Sequence, residues 1–414
     1  MLENFLRDRA AVERLRAGLF GPHLDSFVAT RCQLGYARST VRVQLRLLDD
    51  LDRWLDRNNL ALVDLHEPVV HRFLEELRSK GRSWKIDAPT LRHFLEHLRQ
   101  KDAIASPAPA LDESPLATLR QRYETHLKKE RGLSPVTIAG YWRHIRRFLV
   151  ERFGQTPLCL RELAPKDLSA FVLRHARSGS PKVAQVMVTA LRSFSRFLFR
   201  HAETDRDLAA AVPTVPDWRL AEVPKYLTPA EVEKVVQACQ RGTSSALQDH
   251  AILLLLARLG LRASEVIALE LDDIDWRAAV LKVRGKGGYH DQLPLPAEVG
   301  EALAAYLRHH RPPCITRRVF IRTKAPHRGF AHPSSISTIV RRAMNRAGLQ
   351  HGFKGAHILR HSLATGMLRA GATMGEIGEV LRHRVPNTTE IYAKVDIQGL
   401  RSLALPWPTK GGKP

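Results

Sequence analysis

The chain repeats itself. Gly35-Tyr-Ala-Arg-Ser-Thr-Val41 is echoed by Gly132-Leu-Ser-Pro-Val-Thr-Ile138, 97 residues on. Val63-Asp-Leu-His-Glu-Pro68 aligns with Arg161-Glu-Leu-Ala-Pro-Lys166 at an offset of 98, and Thr90-Leu-Arg-His-Phe94 with Ala190-Leu-Arg-Ser-Phe194 at 100. After the first anchor, each copy carries apolar residues at helical spacing: Leu45, Leu48, Leu51 and Leu55 in one, Tyr141, Ile145, Phe148 and Leu149 in the other. A stripe with that period must find a partner to bury it, and a duplicated set of stripes predicts a duplicated bundle. Two tandem all-helical modules are therefore expected, at 1–103 (the repeat itself from about 20) and at 115–202.

The segments between and after the copies read as linkers. Residues 103–115 are rich in Pro, Ala and Ser, and 209–224 carries Pro213, Pro216 and Pro224. From Tyr226 the texture changes. Thr228-Pro-Ala-Glu231 has a helix cap, a first-turn proline and the reciprocal glutamate. An apolar helix is expected at Leu247 to Leu259. Val280 to Arg284 and Gln292 to Leu295 read as short strands joined by Gly285-Lys-Gly-Gly288. Helices are expected from Ala297 onward. The predicted fold class is mainly α: two tandem all-helical bundles, then a mixed α+β domain at 226–405, mostly helical with a small β-sheet, and a tail at 406–414.

Charge narrows the partner. The 414 residues hold 65 Lys+Arg against 42 Asp+Glu, a formal net charge of +23. That surplus calls for a polyanion such as nucleic acid. It is unevenly spread: +3 over residues 1–110, +9 over 111–203 and +11 over 204–414. The longest apolar run, Ala251 to Ala257, is far too short to span a bilayer, and Met1 to Leu15 carries charges throughout, with no signal-peptide core. Cys32, Cys159, Cys239 and Cys314 are scattered without a CxxC pair, which argues against a disulfide framework or a cysteine zinc site. A cytoplasmic, reduced, nucleic-acid-binding protein with no membrane partner is expected.

Isolated motifs in the last domain say little. Asp272-Asp273-x-Asp275 could hold a metal but reads better as an exposed turn. His357 and His361 have the spacing of zinc ligands, yet Ile358 stands where a zincin needs Glu, and no third ligand follows. Gly371 to Tyr392 scans like a helix-turn-helix. Taken in order, the domain offers Leu259-Gly-Leu-Arg-Ala-Ser-Glu265, the hairpin Arg284-Gly-Lys-Gly-Gly288, His357-Ile-Leu-Arg-His361, His383, and nine residues later Tyr392. This resembles the tyrosine recombinases, or phage integrase family, over Leu227 to Leu403. The helical module at 115–202 is similar to that family's core-site-binding domain.

The resemblance implies cleavage and rejoining of DNA in integration, excision or resolution, as mobile elements and phages use. Tyr392 attacks a phosphodiester and leaves a 3′-phosphotyrosine. Arg262 and Arg360 bind the non-bridging oxygens, for which a planar guanidinium is suited. Lys286 protonates the leaving 5′-oxygen, His357 accepts the tyrosine proton, and His383 donates to a phosphate oxygen. Glu265 orients an active-site residue, and His361 is a structural or phosphate-contacting neighbour. No cofactor or metal is expected, because two arginines supply the charge. The implied partners are double-stranded DNA, three further copies of the chain in a tetramer on two DNA sites, and accessory DNA-bending or partner recombinase proteins. Two departures stand out: Arg382 occupies a place usually held by Gly, and Gly355-Ala356 one where Pro is common. The alternatives are DNA relaxation of the type IB topoisomerase kind, or a non-catalytic DNA-binding regulator using the 371–392 helices.

Overall fold

The glycines that open the repeat explain how its helices start. In the computed structural model Gly35 and Gly132 both take a left-handed backbone, with φ of 77° and 58°. Each reverses the chain out of one helix and into the next, a conformation that glycine adopts readily. The structure describes all residues except 1, 7, 83–84, 107–113, 155, 178–179, 217–222, 240–244, 286–288, 351, 353–354, 386–387, 396–400 and 402–414. The tip of the expected hairpin, the middle of each linker and the C-terminal tail thus lie outside the described residues.

The first module comprises α1 (Arg9–Ala17), α2 (Gly21–Gln33), α3 (Arg38–Arg57), α4 (Glu67–Ser79) and α5 (Asp87–Gln100). The second comprises α6 (Pro115–Lys129), α7 (Pro135–Phe153), α8 (Pro165–Ala176) and α9 (Pro181–Arg200). Beyond α1 the two follow the same order of elements, down to matching 3-10 turns at Leu62–Asp64 and Leu160–Glu162. The stripe Leu45, Leu48, Leu51 and Leu55 is buried on α3; on α7 Ile145, Phe148 and Leu149 are buried and Tyr141 partly so. The chain groups into two compact units, Pro107–Ala221 and Met1–Ser106 with Glu222–Pro414. Within the latter, His327 N–H donates to the Leu34 carbonyl at 2.8 Å. The His327 ring lies against Gly35, leaving no room for a Cβ there.

The last domain is built around α11 (Ala246–Arg258), which follows α10 (Pro229–Gln237). The cap of α10 forms as the sequence predicts: Thr228 Oγ1 accepts from Glu231 N–H (3.3 Å) and Glu231 Oε2 from Thr228 N–H (2.8 Å). Ala251 through Leu256 are wholly buried, the pattern of a helix apolar all round. Each such leucine or isoleucine contributes about 1.5–3 kcal/mol over an exposed one. The helix is therefore a rigid post for the short α12 (Ala263–Ala268) that follows it.

Three antiparallel strands come next, β1 (Ile274–Asp275), β2 (Val280–Arg284) and β3 (His290–Pro294), in that order across the sheet. Leu281 pairs with Ile274 and Leu293, and Arg284 with His290, so Leu281 and Val283 face the core. The two-residue β1 is too short to show in the sequence pattern, and β3 begins two residues earlier than expected. Helices α13 (Ala297–His309), α14 (Ser334–Arg346), α15 (His357–Arg369) and α16 (Met374–Val380) complete the domain, with a 3-10 helix at Glu390–Val395. The stretch 310–333 is not helical as expected; isolated bridges Glu270↔Arg318 and Ile321↔Gly329 tie it to the sheet region and to itself. Among the described residues no helix is long and apolar enough to cross a membrane, and all four cysteines are free.

Candidate active site

Arg262 is the residue from which α12 starts, and one carboxylate fixes both its backbone and its side chain. Glu265 Oε2 accepts the Arg262 backbone N–H at 2.8 Å, and Oε1 accepts from Arg262 Nη1 at 2.6 Å. Glu265 is 3% exposed, whereas the Arg262 side chain keeps 30% of its surface. Part of the guanidinium is thus left open to a ligand. Burial opposes the charge on Glu265, but Arg382 and Arg262 hold its pKa below the usual glutamate range.

The second arginine is fixed by two carbonyls. Arg360 lies on α15 with its guanidinium buried, Nη1 donating to the Gly260 carbonyl and Nη2 to the Leu381 carbonyl. Burial, Arg262 and Arg382 lower its pKa to about 10, so it stays charged at neutral pH. Gly260 itself is left-handed, with φ +58°. A Cβ there would stand 2.7 Å from Leu381 Cδ2 and 3.0 Å from Leu363 Cδ2. Gly260 of the Leu259-Gly-Leu-Arg262 run is thus required for backbone shape and for space at once.

His383 is set by the end of α16. Its N–H donates to the Gly378 carbonyl at 2.8 Å, and that of Arg382 to the Glu379 carbonyl at 2.9 Å, with Arg382 left-handed at φ +55°. Those two bonds form a Schellman motif, in which the left-handed place usually falls to glycine. The turn survives the arginine, so the substitution leaves His383 placed. His383 Nδ1 meets Thr389 Oγ1 at 2.8 Å. Its pKa falls to about 4 through burial and the neighbouring Arg360, Arg262 and Arg382.

Tyr392 rides on the 3-10 helix, 1% exposed, packed with Ala364, Ile377 and Leu381. Its hydroxyl lies 2.9 Å from Nδ1 of His361, with the rings edge to face. At rest the contact goes to His361 and not to His357. Both histidines share one face of α15, but His357 is its first residue and remains exposed, while His361 lies one turn deeper beside the buried tyrosine. Burial raises the Tyr392 pKa to about 12, against the pull of Arg360 and Arg262. His361 is lowered to about 4 by burial, His357 and Arg360. His357 is lowered too, by the burial of part of its ring and by Arg360 and Arg262.

Lys286 lies outside the described residues, but the hairpin stem that carries it is tied to this site. Gly285 N–H donates to the Tyr289 carbonyl at 2.7 Å. Arg384, next to His383, donates to Asp291 at 2.8 Å and stacks over the Tyr289 ring at 4.7 Å. The acidic run is already occupied. Asp272 pairs with Arg317, Asp273 accepts from Glu270 N–H and Arg284, and Asp275 accepts from the N–H groups of Arg277 and Ala278. Asp273 is buried, so only part of this turn is exposed as expected.

Known proteins resemble this chain in sequence and fold. The model of the phage integrase family matches residues 225–398, and that of its N-terminal SAM-like domain matches 121–202. The integrase/recombinase y4rA of Sinorhizobium fredii is 41% identical over 98% of this chain and 99% of its own. The tyrosine recombinase XerD of Mycobacterium tuberculosis is 33% identical over 70% of this chain and 96% of its own. The chain belongs to the tyrosine recombinases of the phage integrase family. It is a site-specific recombinase. Its fold is shared with the XerH site-specific recombinase in a post-cleavage complex with difH substrate, at a TM-score of 0.56 and 20% identity over 81% of this chain and 93% of that one.

Of two further contributions to the candidate site, one carries no mark in the sequence and the other only a faint one. Thr389, 3% exposed, holds Nδ1 of His383. Nothing in the Asn387-Thr-Thr389 run before Tyr392 singles out its third member. Arg382 shows in the sequence only as a missing glycine. It donates to Glu265 Oε2 at 2.8 Å, so three arginines (262, 360 and 382) surround one carboxylate. With the histidines neutral at pH 7, these four groups sum to two positive charges, matched to a phosphodiester gaining negative charge as it is attacked.

Proposed function

We propose that Tyr392 is the nucleophile and double-stranded DNA the substrate, cleaved to a 3′-phosphotyrosine. The observation that carries this reading is the Tyr392 hydroxyl, held by His361 within electrostatic reach of both Arg360 and Arg262.

The resting contact is not the reacting one. At 1% exposure the Tyr392 hydroxyl cannot meet a phosphate where it lies, so the Glu390–Val395 turn must lift first. Proton transfer from a hydroxyl near 12 to an imidazole near 4 is also uphill, by roughly eight powers of ten. His361 therefore keeps the tyrosine in store, and His357, on the exposed turn beside both arginines, takes the proton at attack. The Tyr392 oxygen bonds to phosphorus, the P–O5′ bond breaks, and Lys286 protonates the departing oxygen. With the Thr389 hydroxyl donating to Nδ1, His383 keeps its proton on Nε2 and donates it to a non-bridging oxygen. Rejoining runs these steps backwards from a new 5′-hydroxyl.

The same reading makes the recombinase a tetramer on two DNA sites, acting in the cytoplasm in integration, excision or resolution of a mobile element. A lambda integrase of the same fold has been solved as a tetramer on a Holliday junction, which supports this assembly (TM-score 0.51). Residues 115–202 and 226–405 carry most of the charge surplus and hold the DNA. The nearly neutral first module serves assembly, so deleting residues 1–110 impairs pairing of sites more than affinity for one site. The test of the chemistry is a nicked suicide substrate. Wild type should form a covalent adduct, and Tyr392→Phe should bind equally and form none. Wild type that binds its site without forming an adduct overturns the reading.

A further inference from the structure

Glycine would build the turn before His383 without strain, yet this chain carries an arginine there. A left-handed backbone strains an L-residue, which is why such places usually fall to glycine. The Arg382 side chain is also 4% exposed, with a buried Nε that finds no partner among the described residues. Its other contacts all point one way. Nη2 donates to Glu265 Oε2 at 2.8 Å, and Nη1 to the Val380 carbonyl at 3.2 Å and the Leu259 carbonyl at 3.5 Å. The Arg382 carbonyl in turn accepts from Arg262 Nη2 at 3.4 Å. One residue thus joins the turn carrying His383, the loop leading to Arg262, and the carboxylate that orients Arg262.

We infer that Arg382 is a positioning residue for cleavage: it neutralises buried Glu265, so that the Arg262 charge is free to meet the scissile phosphate. Without it, the Glu265 charge is balanced by Arg262 alone, through the ion pair that already stands at 2.6 Å. The cluster then offers one surplus positive charge where it now offers two. The backbone strain is explained as well, because the left-handed turn is what directs this side chain inward. Glu265 faces Arg382 from the turn after α16, Arg262 from its own helix, and Arg360 from α15. Against burial, the Arg382 charge acts with Arg262 to hold the Glu265 carboxyl below its usual range, so its loss should move that titration upward.

This rests on the Tyr392 reading, and the experiment separates the two. Adduct formation on the suicide substrate is measured under single turnover across pH for wild type, Arg382→Gly, Arg382→Lys, Glu265→Gln and Glu265→Gln with Arg382→Gly. Arg382→Gly should melt within about 5 °C of wild type and bind DNA within about threefold, yet cleave at least roughly tenfold more slowly. Its deficit should narrow as pH falls through the raised Glu265 titration, because a protonated Glu265 no longer closes on Arg262. Arg382→Lys, which keeps a cation beside Glu265, should regain most of the rate. In the Glu265→Gln background the glycine should cost no more than about threefold, since the two residues act as one unit. An Arg382→Gly that cleaves like wild type overturns the proposal, as does one whose rate falls only in step with its melting temperature or DNA affinity. A wild type that forms no adduct overturns the nucleophile reading, and this one with it.

Discussion

Replacing Gly260 by Ala tests whether the loop before Arg262 is shaped by backbone conformation alone or also by close packing. The residue is left-handed at φ +58°, which costs an alanine roughly 1–2 kcal/mol. Its Cβ would also stand 2.7 Å and 3.0 Å from methyl groups of Leu381 and Leu363, and overpacking of that kind costs about 1–3 kcal/mol. The two together come to about 2–5 kcal/mol, or roughly 5–20 °C of melting temperature for a domain of this size. Gly348 is the control: it is left-handed at φ +73°, with nothing within 4 Å of where a Cβ would stand. Gly348→Ala should lose only the first part. Thermal melting followed by circular dichroism measures both, and adduct formation reports on Arg360, whose Nη1 uses the Gly260 carbonyl. Equal losses in the two variants, or a Gly260→Ala enzyme with wild-type cleavage, would refute the packing argument.

Other consequences are as direct. Thr389→Val removes the hydroxyl on His383 Nδ1, and cleavage should fall roughly 10- to 100-fold with DNA binding unchanged; an unaltered rate excludes a role for Thr389. His361→Leu leaves the buried Tyr392 hydroxyl without its partner, which should cost about 1–3 kcal/mol in chemical denaturation; a loss near zero means that the contact is not made in solution. His361 and His383 bind protons less readily in the fold, near 4, than the ordinary 6.5 of the unfolded chain. Their contribution to stability is complete above pH ~6.5 and is lost as pH falls toward 4. Melting temperature should therefore drop between about pH 7 and 4.5, less steeply in His383→Asn, and a profile indifferent to that substitution rejects the assignment.

The helical layout is legible in the sequence because the signals for it are local. The Thr228–Glu231 cap and the leucine stripe of α3 each act over a few residues, and the structure uses each as read. The order of Arg262, Arg360, His383 and Tyr392 is legible for another reason: the chain keeps the sequence order of its family, and that pattern, not the chemistry alone, singles out Tyr392 among the tyrosines. The tyrosine's partner is not legible. His357 and His361 lie on the same helix face, and only the depth at which Tyr392 packs decides between them. Thr389 is hidden because its bond to His383 depends on a turn whose course no periodicity reveals.

Arg382 marks the boundary between the two kinds of information. The sequence by itself determined that a glycine was missing, that two helical modules precede the last domain, and where the cationic surplus lies. It held no sign of whether the turn would break, or of where the new side chain would go. The tertiary structure decided both: the turn is kept by two backbone hydrogen bonds, and the guanidinium is drawn inward to Glu265. The physical reason is distance along the chain. Glu265 and Arg382 are 117 residues apart, and a buried charge finds its counter-charge only when the core that excludes water from both has formed.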